Sequence, residues 1–281
     1  MRRIKLIADG GGTKTEWKVL DGTPSRSYFT SGISPYYLSA NEIQQTLLKE
    51  LPPSILRKQI AEIYYYGTGC KTKAKANVVA KALLSIFPKS KVHVTHDLMG
   101  AAVALCGQTA GIVSILGTGS NSCVYNGKKM VSNSPGLGYV LGDEGSGAYL
   151  GKKVLQHFLY GSFEKGLHAA FLKEYNITKA EILHKVYKEP FPNRYLAQFA
   201  KFLSLHRGHY MIENILEDGL RDFFDQHLQH YPQKNKLTFH FVGGVAYHFK
   251  DKIAELCIDY GFKLGKVLKQ PIQGIAVHHG K

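Results

Sequence analysis

The sequence lacks the long apolar runs that mark membrane and secreted proteins. No segment approaches the roughly 18 consecutive apolar residues of a membrane-spanning helix, so we expect no membrane partner. The opening MRRIKLIADGGG contains too few apolar residues for a secretory signal. We expect it to form a first β-strand that runs into a loop.

Cysteine is also scarce, with 4 residues in 281, and none stands in a C-x-x-C pair. The usual spacings of zinc ribbons, thioredoxin-like redox sites and iron–sulfur clusters are therefore missing. Close histidine pairs occur without a carboxylate or cysteine to complete a ligand set: His206/His209, His227/His230 and His278/His279. We interpret the cysteines as reduced thiols of a cytoplasmic protein and expect no structural zinc.

Acidic side chains are too few to balance the basic ones. The sequence has 21 Asp and Glu residues and 36 Lys and Arg residues, which gives a formal net charge of +15. The basic residues are spread along the chain, and no nucleic-acid recognition motif accompanies their short runs near 71–75 and 263–269. We therefore expect a basic surface that favours a small anionic substrate, and no nucleic-acid partner.

Short β-rich runs alternate with longer amphipathic segments, a pattern typical of α/β proteins. The predicted strands are Ile4–Ala8, Glu16–Leu20, Ser27–Thr30, Ile63–Tyr66, Val92–Thr95, Ile112–Leu116, Ser122–Tyr125, Lys129–Ser132 and Leu237–Val242. The predicted helices are Asn41–Leu51, Thr72–Phe87, Leu98–Leu105, Gly147–Leu159 and two apolar stripes at helical spacing, Ile212–Leu228 and Phe249–Tyr260. We interpret both stripes as core-facing.

One strand–loop–strand pattern occurs twice, about half the chain apart. Ile4–Leu20 reads IKLIA-DGGGTKT-EWKVL, and Ile112–Tyr125 reads IVSIL-GTGSN-SCVY. Such a repetition is expected of two related domains that face one another across a cleft. We predict the first domain at 1–107, completed by 268–281, and the second at 108–267.

The first loop, Asp9–Thr15, has the composition of a phosphate site. Consecutive glycines leave backbone N–H groups bare, and N–H groups that point inward bind anions. The predicted phosphate-binding residues of this loop are Gly11, Gly12, Thr13, Lys14 and Thr15. Asp9 would repel a phosphate unless a cation intervened, so we predict Mg²⁺ near it, held through water.

A hairpin turn without a ligand is the alternative explanation of the first loop. The second loop, with Gly117, Thr118 and Gly119, favours phosphate binding at both. Neither loop fits G-x-x-x-x-G-K-[ST] or G-x-G-x-x-G, and both lead into a strand where those motifs open a helix. A G-x-S-x-G nucleophile motif is also missing.

Five motifs resemble those of a known superfamily and occur in its order. They are DGGGTKT, THDLMGAA, LGTGSNS, GLGYVLGDEGSG and FVGGVA, and the superfamily is that of acetate kinase, sugar kinases, heat-shock proteins and actin. GLGYVLGDEGSG and the closing PIQGIAVHH resemble N-acetylglucosamine kinases and the BadF/BadG-type ATPase group in particular. The resemblance spans Ile4–His278. It implies two RNase H-like α/β domains of the actin-type ATPase fold, with ATP and Mg²⁺ as cofactors.

The resemblance also implies ATP-dependent phosphorylation of a sugar hydroxyl, with N-acetylglucosamine or a related amino sugar as the acceptor. Asp97 follows a predicted strand and opens a predicted helix, where a carboxylate can be a simple N-cap. In the resembling family the aspartate of this motif is the general base. We therefore predict that Asp97 takes the proton of the sugar hydroxyl.

Asp143 and Glu144 stand between glycines in a basic chain, which suggests hydrogen bonds to sugar hydroxyls; capping of the next helix by Glu144 or Ser146 is the alternative. The family often has an asparagine after the first hairpin, but Ser31–Tyr37 contains none, so Ser34 or Tyr36 is the candidate substitute. The residues predicted to contact the sugar are Asp97, Thr118, Gly136, Gly138, Asp143 and Ser34.

An apolar strand that ends in a glycine pair predicts the adenosine site. The resemblance implies that Gly243, Gly244 and Val245 let the adenosine lie against bare backbone. The alternative explanation is a tight helix start, which would need the same glycines for packing.

Two other functions stay open: a BadF/BadG-type ATPase with a non-sugar role, and a non-catalytic sugar-sensing regulator. The sequence also leaves a homodimer open.

Overall fold

The computed structural model describes residues 3–22 and 26–280. The chain divides into two compact units. The first comprises Met1–Val113, Tyr125–Val131 and Gln270–Lys281, and the second Ser114–Val124 and Ser132–Lys269. The domain limits drawn from the sequence stay a prediction about which segments fold together.

The first unit is built on a five-stranded sheet. Its strands are β1 (Lys5–Gly10), β2 (Lys14–Leu20), β3 (Ser27–Ser31), β4 (Glu62–Gly67) and β5 (Lys91–His96). They lie in the order β3-β2-β1-β4-β5, with β2 antiparallel to β1 and β3, and β4 parallel to β1 and β5. Four helices follow these strands in the chain: α1 (Ala40–Glu50), α2 (Pro53–Leu56), α3 (Lys73–Ile86) and α4 (Asp97–Cys106).

Trp17 anchors the core on one face of this sheet. Its side chain is fully buried, its indole N–H donates to Thr30 Oγ1 at 3.0 Å, and its ring lies 5.9 Å from that of Tyr65. The amphipathic helix α1 packs into the same core through Ile43 and Leu47. A satisfied indole N–H lets a large aromatic side chain be buried without a desolvation penalty.

The second sheet contains β6 (Ala110–Leu116), β7 (Ser120–Asn126), β8 (Met130–Asn133), β9 (Phe239–Val242) and β10 (Leu264–Leu268). Its order is β10-β9-β6-β7-β8, and β9 runs parallel to β10. When the strands of each sheet are numbered in chain order and the second sheet is read from β8, both orders are third-second-first-fourth-fifth. The repeated strand–loop–strand pattern of the sequence is therefore a repeated sheet topology, and the predicted two-domain α/β fold class is confirmed.

Helices make up most of the rest of the second unit. They are α5 (Gly138–Leu141), α6 (Gly147–Leu159), α7 (Lys165–Tyr175), α8 (Lys179–Tyr187), α9 (Pro192–Gln198), α10 (Ala200–Leu205), α11 (Tyr210–Phe223), α12 (Gly244–His248) and α13 (Lys250–Asp259). The stripe predicted as one helix over Ile212–Leu228 ends its α-helical part at Phe223. A π-helical turn, Phe224–Leu228, follows it.

The chain then returns to the first sheet through α14 (Ile272–Gly280). Lys5 Nζ donates to the carbonyl of His279 at 2.6 Å, and the His279 ring stacks on Tyr64 with 3.8 Å between centroids. The helix approaches α4 closely at Gly274, where an added Cβ would lie 2.7 Å from backbone atoms of Ala104. This contact needs a residue without a side chain.

We predict that Gly274→Ala destabilises the protein by about 1–3 kcal/mol, because the new methyl group meets backbone that cannot rotate away. Chemical unfolding measures the change. Gly280→Ala is the matched control in the same helix, since an added Cβ there has no neighbour within 4 Å. Equal stability of the two variants would contradict the tight α4–α14 contact.

Candidate active site

The glycine loop between β1 and β2 is an open turn. Gly11 N–H donates to the carbonyl of Lys14 at 2.9 Å, and Gly32 N–H donates to the carbonyl of Thr13 at 2.9 Å. An added Cβ at Gly12 would meet nothing within 4 Å, and Thr13 is exposed. The outer side of the loop is therefore accessible backbone, the kind of surface that binds phosphate oxygens.

The side chains of this loop are placed differently from one another. Thr15 is fully buried, so its hydroxyl does not reach the surface. The Lys14 ammonium lies 4.7 Å from the ring centre of Phe29, and with the Gln270 amide turned to satisfy both Lys14 and Glu16 it donates to the side-chain oxygen of Gln270 at 3.0 Å. A phosphate at this loop would meet backbone and Thr13 first; the phosphate roles of Lys14 and Thr15 stay predictions.

Negative charge gathers at Asp9, next to the loop. Burial, and then the carboxylates of Asp97 and Glu16, raise the pKa of Asp9 to about 7, against the smaller opposing effect of Lys14. A divalent cation with water ligands would relieve this repulsion, so the carboxylates present fit the predicted Mg²⁺. In the described part of the chain no three metal-binding side chains cluster closely enough to hold an ion alone.

Asp97 lies at the end of β5 and is the first residue of α4. The N-cap of that helix is His96, whose ring nitrogen Nδ1 accepts from Leu98 N–H at 3.2 Å, so Asp97 does not occupy the capping position. Asp97 Oδ1 also accepts from Leu98 N–H, at 2.8 Å. Parallel strands β1, β4 and β5 end at one edge of the sheet, which places Asp97 on the same edge as the glycine loop.

The second glycine loop, between β6 and β7, is tied to the start of α6. Gly147 N–H donates to the carbonyl of Gly117 at 2.8 Å, and Ala148 N–H donates to that of Thr118 at 3.0 Å. Gly243 packs against the same loop with a φ of +126°, and an added Cβ would lie 2.2 Å from the carbonyl oxygen of Leu116. Only glycine fits there, so tight packing explains Gly243.

The rest of the predicted adenosine segment follows directly in the chain. Gly244 is exposed and begins α12, with nothing within 4 Å of an added Cβ, whereas the Val245 side chain is buried. The structure therefore places bare backbone next to the second loop. An adenosine contact at these residues stays a prediction.

Asp143 lies over the second loop. An added Cβ at Gly119 would be 2.9 Å from Asp143 Oδ2, and Ser120 N–H points at Asp143 Oδ1 from 3.4 Å. Burial raises the pKa of Asp143, and the Ser120 N–H opposes that rise. Asp143 also has a left-handed backbone, with a φ of +57°, which is uncommon for a residue with a side chain. The second unit thus brings together Thr118, Gly119 and Asp143.

The other predicted sugar residues lie in less enclosed places. Gly136 and Gly138 belong to an exposed segment in which Leu137, Val140 and Leu141 are exposed as well. In the first unit Ser34 is buried, and its carbonyl accepts from Tyr37 and Leu38 N–H at 3.1 and 3.0 Å. Ser34 therefore stabilises a turn, and its contact with a sugar stays a prediction.

Glu144 has a partner that the sequence did not predict. Ser146 is the N-cap of α6, and Glu144 Oε2 instead lies 2.9 Å from His227 Nε2. Sequence reasoning treated His227 only as a candidate metal ligand. The sequence offers one sign of this role: His227 is a polar residue within the apolar stripe of the predicted helix Ile212–Leu228.

Comparison with known proteins identifies the family. A crystal structure of a presumed N-acetylglucosamine kinase from Porphyromonas gingivalis is 40% identical to this chain, covers 98% of both chains and gives a TM-score of 0.93. The chain belongs to the N-acetylglucosamine kinase family. This confirms the resemblance noted in the sequence. No protein-family model matches the chain.

Two further known proteins are similar to this N-acetylglucosamine kinase family member. The N-acetyl-D-glucosamine kinase of Dictyostelium discoideum is 27% identical over 204 residues, which are 65% of this chain and 63% of that protein. The chain thus spans a little under two thirds of that relative's length. A ROK family glucokinase of Streptomyces griseus, solved with glucose and AMPPNP, shares the fold at 16% identity, 98% coverage of both chains and a TM-score of 0.57.

Among the described residues, no helix is both long and apolar enough to cross a membrane.

The raised pKa of Asp9 predicts a pH-dependent stability. A folded-state pKa near 7, above the usual 3.8, means that ionising Asp9 costs folding free energy as the pH rises from about 4 to 7. Asp9→Asn removes that cost, so it should stabilise the ligand-free protein by roughly 2 kcal/mol more at pH 8 than at pH 5. Urea unfolding at both pH values measures this difference.

The control for this measurement is Asp218→Asn, a neutralised carboxylate on an exposed position of α11. Its effect should not change between the two pH values. A stability difference between Asp9→Asn and the unsubstituted protein that is the same at pH 5 and pH 8 would rule out an uncompensated charge at Asp9.

Proposed function

We propose that the protein is a cytoplasmic sugar kinase that transfers the γ-phosphoryl group of ATP to a hydroxyl of N-acetylglucosamine or a related amino sugar. The observation that carries the proposal is the position of Asp97 at the sheet edge where the first glycine loop turns. The names of the relatives from P. gingivalis and D. discoideum support the sugar class. The four cysteines are buried thiols, which supports the location.

Phosphoryl transfer depends mainly on positioning and on stabilising charge. The backbones of the two glycine loops are the proposed phosphate sites. Gly12 and Gly119 are the proposed N–H donors to phosphate oxygens, whereas the N–H groups of Gly11 and Gly117 donate to the carbonyls of Lys14 and Gly119 and shape the turns. Mg²⁺, held through water by Asp9, would neutralise charge on the phosphates. The ATP would rest its adenosine against Gly243, Gly244 and Val245.

Asp97 is the proposed general base. Its carboxylate accepts the proton of the sugar hydroxyl as that oxygen attacks phosphorus, which leaves ADP as the product. Its place at the end of β5, on the sheet edge of the first glycine loop, supports this role. Asp143 is the proposed acceptor of a sugar hydroxyl hydrogen bond, with Gly136 and Gly138 shaping the pocket and Thr118 and Ser34 as further contacts.

We expect Asp97→Asn to lower kcat by about 10²–10⁴-fold, the usual contribution of a positioned base. ATP affinity should stay within about twofold, because the asparagine keeps the shape of the side chain and no phosphate contact is removed. Steady-state kinetics and calorimetric ATP titration measure the two quantities. Asp218→Asn is again the matched control, and a turnover of Asp97→Asn equal to that control would exclude Asp97 as the base.

A panel of acceptors tests the function itself. ADP release is followed with N-acetylglucosamine, related amino sugars, glucose and no sugar. We expect the largest stimulation with an N-acetylated amino sugar, accompanied by a sugar phosphate that mass spectrometry identifies. ADP release that no sugar stimulates would refute the kinase proposal.

A further inference from the structure

A chain of buried hydrogen bonds runs through the second unit behind the acidic loop Gly142–Gly145. Glu144 Oε2 lies 2.9 Å from His227 Nε2, and His227 Nδ1 lies 2.6 Å from Ser134 Oγ. His227 is only 7% exposed and Ser134 only 8%. Phosphoryl transfer as proposed above uses none of Glu144, His227 and Ser134, so their arrangement needs another explanation.

The direction of each hydrogen bond follows from the chemistry of the groups. A carboxylate only accepts, so His227 donates from Nε2 to Glu144. In the neutral imidazole Nδ1 then accepts from the hydroxyl of Ser134. The chain continues because Ser134 N–H donates to Tyr231 Oη at 3.0 Å, which lies 2.8 Å from Ser122 Oγ in β7. The network therefore reaches from the acidic loop to the strand that follows the second glycine loop.

His227 lies in the π-helical turn that ends the α11 segment. Such turns are rare and are frequent at functional sites. The turn keeps Phe224, His227 and Leu228 buried together, and Phe223, just before it, packs against Gly145. An added Cβ at Gly145 would lie 2.8 Å from Phe223 Cβ. The acidic loop is thus held on one side by packing and on the other by the Glu144–His227 hydrogen bond.

Both contacts are made by the two residues that directly follow Asp143, whose backbone is left-handed. A side-chain-bearing residue persists in this conformation when its surroundings over-determine it. The same conformation directs the Asp143 carboxylate at Gly119 and Ser120. We propose that His227 is a positioning residue for the sugar acceptor: anchored by Ser134, it fixes Glu144 and thereby the backbone and carboxylate of Asp143. The inference rests on the proposed sugar contact of Asp143.

The test compares His227→Ala with the unsubstituted kinase. Loss of the hydrogen bond frees Asp143, so the KM for the sugar should rise at least tenfold. The KM for ATP should stay within about twofold and kcat within about threefold, because neither Asp97 nor the glycine loops are altered. His227→Gln, which keeps a donor for Glu144, should recover most of the lost sugar affinity. Unchanged sugar KM in His227→Ala would overturn the inference.

A double-variant cycle separates positioning from a general structural effect. If His227 acts through Asp143, then His227→Ala should add less than twofold to the sugar KM of Asp143→Ala. Additive effects of the two substitutions would overturn the inference. Exposed His230, three residues further on, supplies the control, and His230→Ala should leave all constants unchanged.

Amide hydrogen exchange supplies a readout that does not depend on kinase activity. In His227→Ala the amides of residues 142–147 should exchange at least tenfold faster, with the other segments of the second unit unchanged. If His227→Ala does not fold, Glu144→Ala takes its place with the same expectations. If the unsubstituted protein phosphorylates no sugar, the proposed function fails, and exchange alone decides the positioning of Asp143; unaltered exchange at 142–147 would overturn it.

Discussion

Repulsion among carboxylates at one edge of the first sheet is the interaction on which the proposed chemistry depends. Burial, and then the carboxylates of Asp97 and Glu16, raise the pKa of Asp9 there, although the chain as a whole carries a net charge of +15. Ionised carboxylates are stable in such a place only when a cation compensates them. The edge therefore favours a compensating divalent cation, the role proposed above for Mg²⁺, and the charge of Asp97 contributes to the raised pKa of Asp9.

The repeated strand order explains why the candidate residues come from such distant parts of the sequence. In each sheet a hairpin of the first two strands carries a glycine loop, and the fourth strand lies beside the first. The loop and the next element in the sheet therefore meet at one edge. Asp97 follows the fifth strand of the first sheet, which runs parallel to the fourth and ends at the same edge, and Gly243 follows the fourth strand of the second sheet. The same topology thus places different residues at the glycine loop of each sheet.

Local patterns in the sequence predicted most strands and the fold class, because alternation and glycine turns are short-range signals. The four helices from Lys165 to Leu205 were not predicted. Helices α7 and α8 bury only Leu167 and Phe171 in one case and Ile182 in the other, so neither has an apolar stripe long enough to show helical periodicity. The π-helical turn was missed for another reason: the partner of His227 lies 83 residues away at Glu144. Long-range hydrogen bonds, and a left-handed backbone at a residue such as Asp143, produce no recognisable pattern in the neighbouring sequence.

The return of α14 to the first sheet has a consequence for synthesis on the ribosome. Ile272 and Ile275 complete a core that begins with Ile7 and Tyr66, and Lys5 binds the carbonyl of His279. The larger core of the first unit, around Trp17, uses only residues that precede α4, whereas this smaller core needs α14. Until Ser132–Lys269 has been translated, Ile7 and Tyr66 lack their partners on α14, although Met99 and Ala104 can already pack against them. The last step of folding in the first unit therefore has to follow the synthesis of the second unit.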